Sequence, residues 1–296
     1  MWFGLSLVAI LFWSGSDLFS KMGSKSDDIY SHWKMVMAVG TVMGIHAIIM
    51  ILMGTPFKPS DIITYLPASA LYILSMILGY VGLRYIVLSV STPICNSSGA
   101  VASLLCFFFL GEKMSGLQLF AVCLICISIF ALSVIEKKSD DKQRLLDGEK
   151  VDKKYTHSFI AIMFPILYCI IDGLGTFADA LILDKYIAEG SANIAYELTF
   201  LMMAIFAFIY VVVIKKQKIF ISKEKPKIAA SLCETAGQFA YIYAIGSNAI
   251  VAAPLISSYC LFSLVWARLV LKEKLSKQQY FVIALAGIGI VIMGME

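Results

Sequence analysis

The sequence predicts an all-α polytopic membrane protein, with ten transmembrane helices arranged as two inverted five-helix repeats. Three observations predict it. Of the 296 residues, 60% are hydrophobic and 15% charged, with mean hydropathy +0.85, whereas a soluble domain is about half apolar and about a quarter charged. The apolar residues gather into ten runs, most of them near the roughly 17–25 residues that a helix needs to cross a bilayer. One stretch also occurs twice at a constant offset of 161 residues, so that Pro93 and Glu112-Lys113 return as Pro254 and Glu273-Lys274.

In chain order the runs are 2–19, 33–53, 65–83, 86–110, 117–135, 158–183, 192–214, 228–245, 249–271 and 277–295. In lipid the backbone of such a run satisfies its own hydrogen bonds as a helix. The first run has neither a basic leader nor a clear small-residue cleavage site, so it is expected to be a span and not a signal peptide. The fourth and ninth begin near Pro93 and Pro254, where a first-turn proline is tolerated. Both continue into small, hydroxylated stretches, Asn96-Ser97-Ser98-Gly99 and Ser257-Ser258-Tyr259. The duplicated register holds without a gap from Tyr80/Tyr241 to Ile129/Ile290, and Ser97/Ser258, Ser115/Ser276 and Gln118/Gln279 match along it. Such self-similarity marks an internal repeat. The fifth and tenth runs carry no internal charge and are expected to support the bundle from its lipid or dimer face.

Connections are short except for residues 136–155, which are charged and poor in bulky apolar side chains. The chain therefore divides into a first repeat at 1–136, a charged linker at 137–155 and a second repeat at 156–296. Five is odd, so a second copy enters the membrane from the opposite side, which makes the repeats inverted. Of the 24 Lys and Arg residues, the odd-numbered connections and their flanks hold 20, the even-numbered ones hold Lys58, Lys113 and Lys185, and Arg268 lies near the end of the ninth run. The positive-inside rule then puts the odd connections in the cytoplasm and both termini outside.

Ten helices in a five-plus-five repeat, the Trp13-Ser14-Gly15 turn, and the Gly111-Glu112-Lys113 and Lys272-Glu273-Lys274 closures resemble the drug/metabolite transporter superfamily, of the type with two EamA domains. The resemblance covers nearly the whole chain. It implies a carrier in the cell membrane that works by alternating access on small metabolites, amino acids or drugs, without a cofactor. The chain departs from the pattern at Lys272, where a Gly is usual. The resemblance also implies cytoplasmic termini, opposite to the lysine count.

An ionised side chain at the bilayer centre costs about 2.5–3.5 kcal/mol on insertion scales, so those present point to a cavity or a partner. The sixth run places Tyr168, Asp172, Thr176 and Asp179 on one helical face, and the eighth does the same with Glu234, Gln238 and Tyr241. Trp13 and Asp17 of the first run share the spacing of Tyr168 and Asp172, although Asp17 also stands four residues before Lys21, a favourable surface pair. Glu197, shallow in the seventh run, and Asn96 and Ser258 in the matched hydroxylated stretches complete the candidate substrate site. Each has a plainer reading as interhelical packing. His46, two residues past Gly40-x-x-x-Gly44, reads as a packed side chain, and Arg84 and Arg268 read as snorkelling residues.

Carboxylates beside aromatic rings suit a cation. The expected function is a secondary transporter for a small polar, amino-bearing metabolite, cationic or zwitterionic. The expected coupling ion is a proton or another ion, with Glu234 and Asp172 the candidates for exchanging a proton. The alternative is efflux of hydrophobic cationic drugs. Expected partners are the substrate, the coupling ion and the lipid bilayer, not nucleic acid, with the chain a monomer or homodimer. Cys123-x-x-Cys126 lies on an apolar helix with no nearby His and reads as small apolar filler, so no metal or cofactor is expected. No nucleophile constellation or phosphate loop supports an enzyme, and no soluble sensor region supports a receptor.

Overall fold

The computed structural model describes residues 1–23, 28, 30–82, 95–111, 113–146, 159–219, 221–270 and 275–295. The described residues form ten α-helices and no strand. The first half holds α1 (Trp2–Gly23), α2 (Ser31–Leu52), α3 (Pro59–Gly82), α4 (Ser98–Leu105, prolonged by a π-turn at Cys106–Leu110) and α5 (Gly116–Leu146). The second holds α6 (Phe159–Lys185), α7 (Glu189–Phe208, with a π-turn at Ile209–Ile214), α8 (Lys225–Ile256), α9 (Tyr259–Leu269) and α10 (Lys277–Gly294). Five of these are long and apolar enough to cross a membrane by length and composition, and Ser98–Leu110, Gly116–Leu132 and Lys277–Met293 are shorter apolar helices. Phe107, Phe108, Phe109, Phe206, Val213, Phe281 and Val291 point outward, as the lipid face of a bundle requires.

The helices pair across the two halves. α1 packs on α8, α2 on α7, α3 on α6 and α5 on α10; α4 lies against both α6 and α8, and α9 against α1. Exchanging each helix for the one five places away maps α1–α8 onto α6–α3 and α4–α6 onto α9–α1, while α2–α7 and α5–α10 map onto themselves. The duplication in the sequence is therefore repeated in the packing. It also explains two matched pairs. Ser276 and Gln279 form a capping box at the start of α10, and Ser115 and Gln118 exchange the same two hydrogen bonds, at 3.0 and 3.1 Å, at the start of α5. Each box satisfies two orphan N–H donors.

The α2–α7 contact explains Gly40 and Gly44. A Cβ on Gly40 would run into the Phe200 carbonyl oxygen, and one on Gly44 would come within 2.7 Å of the Leu201 side chain. Small residues let the two backbones approach, the usual device for helices packed in lipid.

Two expectations are corrected. The predicted ninth span at 249–271 is not one helix: α8 passes through a non-helical Asn248 (φ −166°, ψ 83°) and runs on to Ile256, a turn at Ser257-Ser258 follows, and α9 begins at Tyr259. In the first half the matched residues, Asn96-Ser97, also form a turn, directly before α4. Pro254 consequently lies in the last turns of α8 and not at the start of a helix. Secondly, α5 continues to Leu146, well into the predicted linker, because Lys, Glu, Gln, Arg and Leu there are all good helix formers. Pro93, Arg84 and Glu112 lie outside the described residues, as do Lys272, Glu273 and Lys274.

Candidate substrate cavity

Between the halves lies a cavity of about 170 Å³. Nine of the twelve candidate residues line it: Trp13 and Asp17 from α1, Asn96 before α4, Tyr168, Asp172 and Thr176 from α6, and Glu234, Gln238 and Tyr241 from α8. The i, i+4, i+7 spacings on α6 and α8 do this, since each turns one polar face inward. The lining also includes Tyr72 and Ser75 of α3, Tyr196 of α7, Ser98 and Gly99 at the start of α4, and Ser257 and Tyr259 around the second break. A wider hollow of about 540 Å³ sits outside α7, bounded by Phe208, Val212 and the segment Lys216–Ile219. No acidic residue is among its described lining residues.

Three carboxylates face the cavity, each held by a hydroxyl. Ser263 Oγ on α9 donates to Asp17 at 2.7 Å. Ser75 Oγ donates to Asp172 at 3.1 Å, and Ser98 on α4 also bonds it. Ser16 bonds Glu234. Asp17 is thus anchored from α9 and Asp172 from α4, which are equivalent helices of the two halves. No Lys or Arg is among the described lining residues. The Trp13 indole packs 5.1 Å from the Tyr241 ring and 5.8 Å from Tyr259, giving one aromatic wall. Gln238 Nε2, also in the lining, is buried without a hydrogen-bond partner.

Asp179, Glu197 and Ser258 lie outside the lining. Asp179 is fully buried behind it among tyrosine hydroxyls. Ser258 is buried, and its hydroxyl donates to the Leu255 carbonyl at 2.7 Å. Glu197 accepts from the Asn193 amide at 2.9 Å and meets His46 Nδ1 at 2.7 Å, joining α7 to α2. Replacing His46 with Leu is expected to destabilise the protein by about 3 kcal/mol, because a fully buried carboxylate then keeps Asn193 alone. Removing both partners, in His46→Leu/Glu197→Leu, is expected to recover much of that loss. Thermal unfolding of the three variants in detergent measures it; equal losses in the single and double variants would contradict the pairing.

A second ionic cluster closes the lysine-rich end. Lys34 of α2 bonds Asp28 at 2.7 Å and approaches Glu224 at 3.7 Å, and Glu224 pairs with the buried Lys227 of α8. Desolvation at Asp28 opposes ionisation, but hydrogen bonds from Lys34 and the Tyr30 amide outweigh it and hold the carboxyl below its usual range. The cluster ties the first half to the second.

The residues that sequence reasoning missed are on α3. Tyr65, Tyr72 and Ser75 stand at i, i+7 and i+10, one helical face, and that pattern was available. Single tyrosines in an apolar run carry no charge, so nothing in hydropathy singles them out.

A ten-helix bundle of two packed repeats, with buried carboxylates around a central cavity, defines a polytopic membrane transporter of the drug/metabolite transporter superfamily. The chain belongs to the EamA-like transporter family, whose model matches residues 1–134 and again 159–295, one match for each half. No match is found among curated proteins. One solved crystal structure, described only as that of a protein, superposes with a TM-score of 0.71 at 11% identity, covering 98% of this chain and 95% of its own. At that identity the likeness bears on the fold alone.

Proposed function

We propose that the protein is a secondary carrier for a small amino-bearing metabolite, bound between the inverted halves and moved across the cell membrane by alternating access. One observation carries this reading: Asp17, Asp172 and Glu234 share a cavity whose described lining holds no basic side chain. A cationic ammonium supplies the missing charge, and the Trp13, Tyr241 and Tyr259 rings add attraction of about 2 kcal/mol for a desolvated cation. The first turns of α4 and α9, which reach the cavity through Ser98, Gly99 and Tyr259, bring positive dipole ends beside those acids, and Gln238 Nε2 adds an unpartnered donor. These groups suit a carboxylate, so a zwitterion fits better than a bare amine. The cavity, at about 170 Å³, is below the roughly 300–1,000 Å³ of pockets for drug-sized ligands, which disfavours efflux of bulky hydrophobic cations. A proton or another ion drives the cycle.

A thermal-shift screen of the purified protein against amino acids, amines, nucleosides and sugar phosphates tests the reading. A ligand at a hundred times its Kd stabilises by about 2.7 kcal/mol. Amino acids are expected to raise the unfolding temperature most, and the corresponding amines less. Stabilisation by sugar phosphates or nucleosides, with none by any amine, would overturn the assignment.

A further inference from the structure

Behind the cavity, Asp179 sits at the centre of a hydroxyl cluster. Tyr65 donates to it at 2.5 Å, Tyr72 at 2.7 Å and Tyr241 at 3.2 Å. Tyr72 and Tyr241 also meet each other at 2.5 Å, and both meet Thr176 Oγ1, at 3.1 and 3.2 Å. That makes six oxygen–oxygen contacts. The four hydroxyls bring four protons, one each. With Asp179 ionised, two contacts have no proton of their own; a carboxyl proton on Asp179 supplies one more.

We propose that Asp179 is the site of a coupling proton, exchanged with the substrate cavity through the Tyr72 and Tyr241 hydroxyls. Both tyrosines line the cavity on one side and bond Asp179 on the other. In the transfer, a Tyr hydroxyl gives its proton to the carboxylate and takes one from the cavity, so the tyrosine ends unchanged and Asp179 ends neutral. The groups facing Asp179 are Tyr65 and Tyr72 from α3, Tyr241 from α8, and Thr176 and Asp172 from its own helix; Tyr196 of α7 packs edge-on against Tyr65 and Tyr72, with centroids 6.4 and 6.0 Å away. None of these is basic. Neutralising Asp179 lowers the negative potential that holds an ammonium in the cavity. Proton and amine therefore oppose each other, and the coupling is exchange. This inference rests on the amine-carrier reading for its direction, but the proton site itself does not depend on a substrate.

Infrared difference spectra of the full chain in lipid, between about pH 8 and about pH 5, test the site directly. A carbonyl stretch of a newly protonated carboxyl is expected, absent in Asp179→Asn and retained in Glu234→Gln and Asp172→Asn. Tyr65→Phe, which keeps the acid and removes one donor, guards against a misfolded Asp179→Asn; it is expected to shift that band and displace its pH midpoint by about one unit. Spectra of Asp179→Asn or Tyr65→Phe superposable on wild type would overturn the proposal. In proteoliposomes given the twenty standard amino acids, one labelled at a time, Asp179→Asn is expected to retain counterflow and to lose pH-driven accumulation about tenfold. Undiminished accumulation would also overturn it. If wild type shows no counterflow, the amine reading fails, and the infrared result still decides the proton site.

Discussion

Glu234→Gln and Asp172→Asn are each expected to lower the affinity for the transported amine by about 10- to 100-fold. Both substitutions keep the shape of the side chain and remove its charge. Among the described residues each original carboxylate is bonded by serine hydroxyls, Ser16 at Glu234 and Ser75 with Ser98 at Asp172, and no Lys or Arg in the described lining neutralises it, so its charge is left for the substrate. A hydrogen bond to a charged group contributes about 1.5–3 kcal/mol, and about 1.4 kcal/mol is a factor of ten. The double variant is expected to show no measurable flux at sub-millimolar substrate. Because an amide still reaches the same hydroxyls, unfolding temperatures are expected to stay close to wild type, which separates a binding defect from a folding one. The measurement is uptake of a labelled amine into proteoliposomes across a range of pH. Normal transport by both single variants at every pH would mean that these acids are structural.

The parts of this molecule that follow from hydropathy were legible in the sequence, and those that follow from side-chain direction were not. Ten apolar runs and the 161-residue offset anticipated two five-helix halves, because a duplicated sequence folds into duplicated structure, but the pairing of α1 with α8 and α3 with α6 across them depends on side-chain direction and had no hydropathy signal. The break at Ser257-Ser258 was hidden by its surroundings. Apolar residues flank it on both sides, and hydropathy does not register a two-residue turn. Its small hydroxylated residues, matched at Asn96-Ser97, were the one hint, and in transporters interrupted helices at corresponding positions mark the binding region. Glu197 shows the opposite difficulty. A carboxylate in an apolar run looks the same whether it faces a cavity or a neighbour, and His46, its partner, lies 151 residues away in sequence. Asp179 shares a helical face with Asp172, yet two turns along α6 carry it out of the cavity and among the α3 tyrosines.

Gly99 is where those breaks meet, and Gly99→Ala is expected to destabilise the protein by about 1–3 kcal/mol. The sign is not obvious. Gly99 is helical, and alanine is favoured over glycine in a helix interior by about 0.8–1.0 kcal/mol. The surroundings reverse that preference. A Cβ at this position would stand 2.6 Å from the Ala253 carbonyl oxygen and collide with Ser257 Oγ. The serine hydroxyl can rotate, whereas the carbonyl belongs to the backbone of α8. Close by, Ser103 Oγ donates to the Ile250 carbonyl at 2.6 Å, so the two helices cannot separate without losing that bond. Gly287→Ala in α10 provides the contrast, since nothing lies within 4 Å of its added Cβ, and it is expected to be neutral or mildly stabilising. Gly99→Val, with two further methyl groups, is expected to yield little folded protein. Thermal unfolding of the three variants in one detergent reads the order directly. A Gly99→Ala protein more stable than wild type would show that α4 and α8 are not packed backbone to backbone. The contact lies between segments matched by the duplication, so any rocking of one half against the other has to pass through it. A side chain wedged there is therefore expected to slow counterflow in whatever Gly99→Ala protein folds, while Gly287→Ala transports at the wild-type rate.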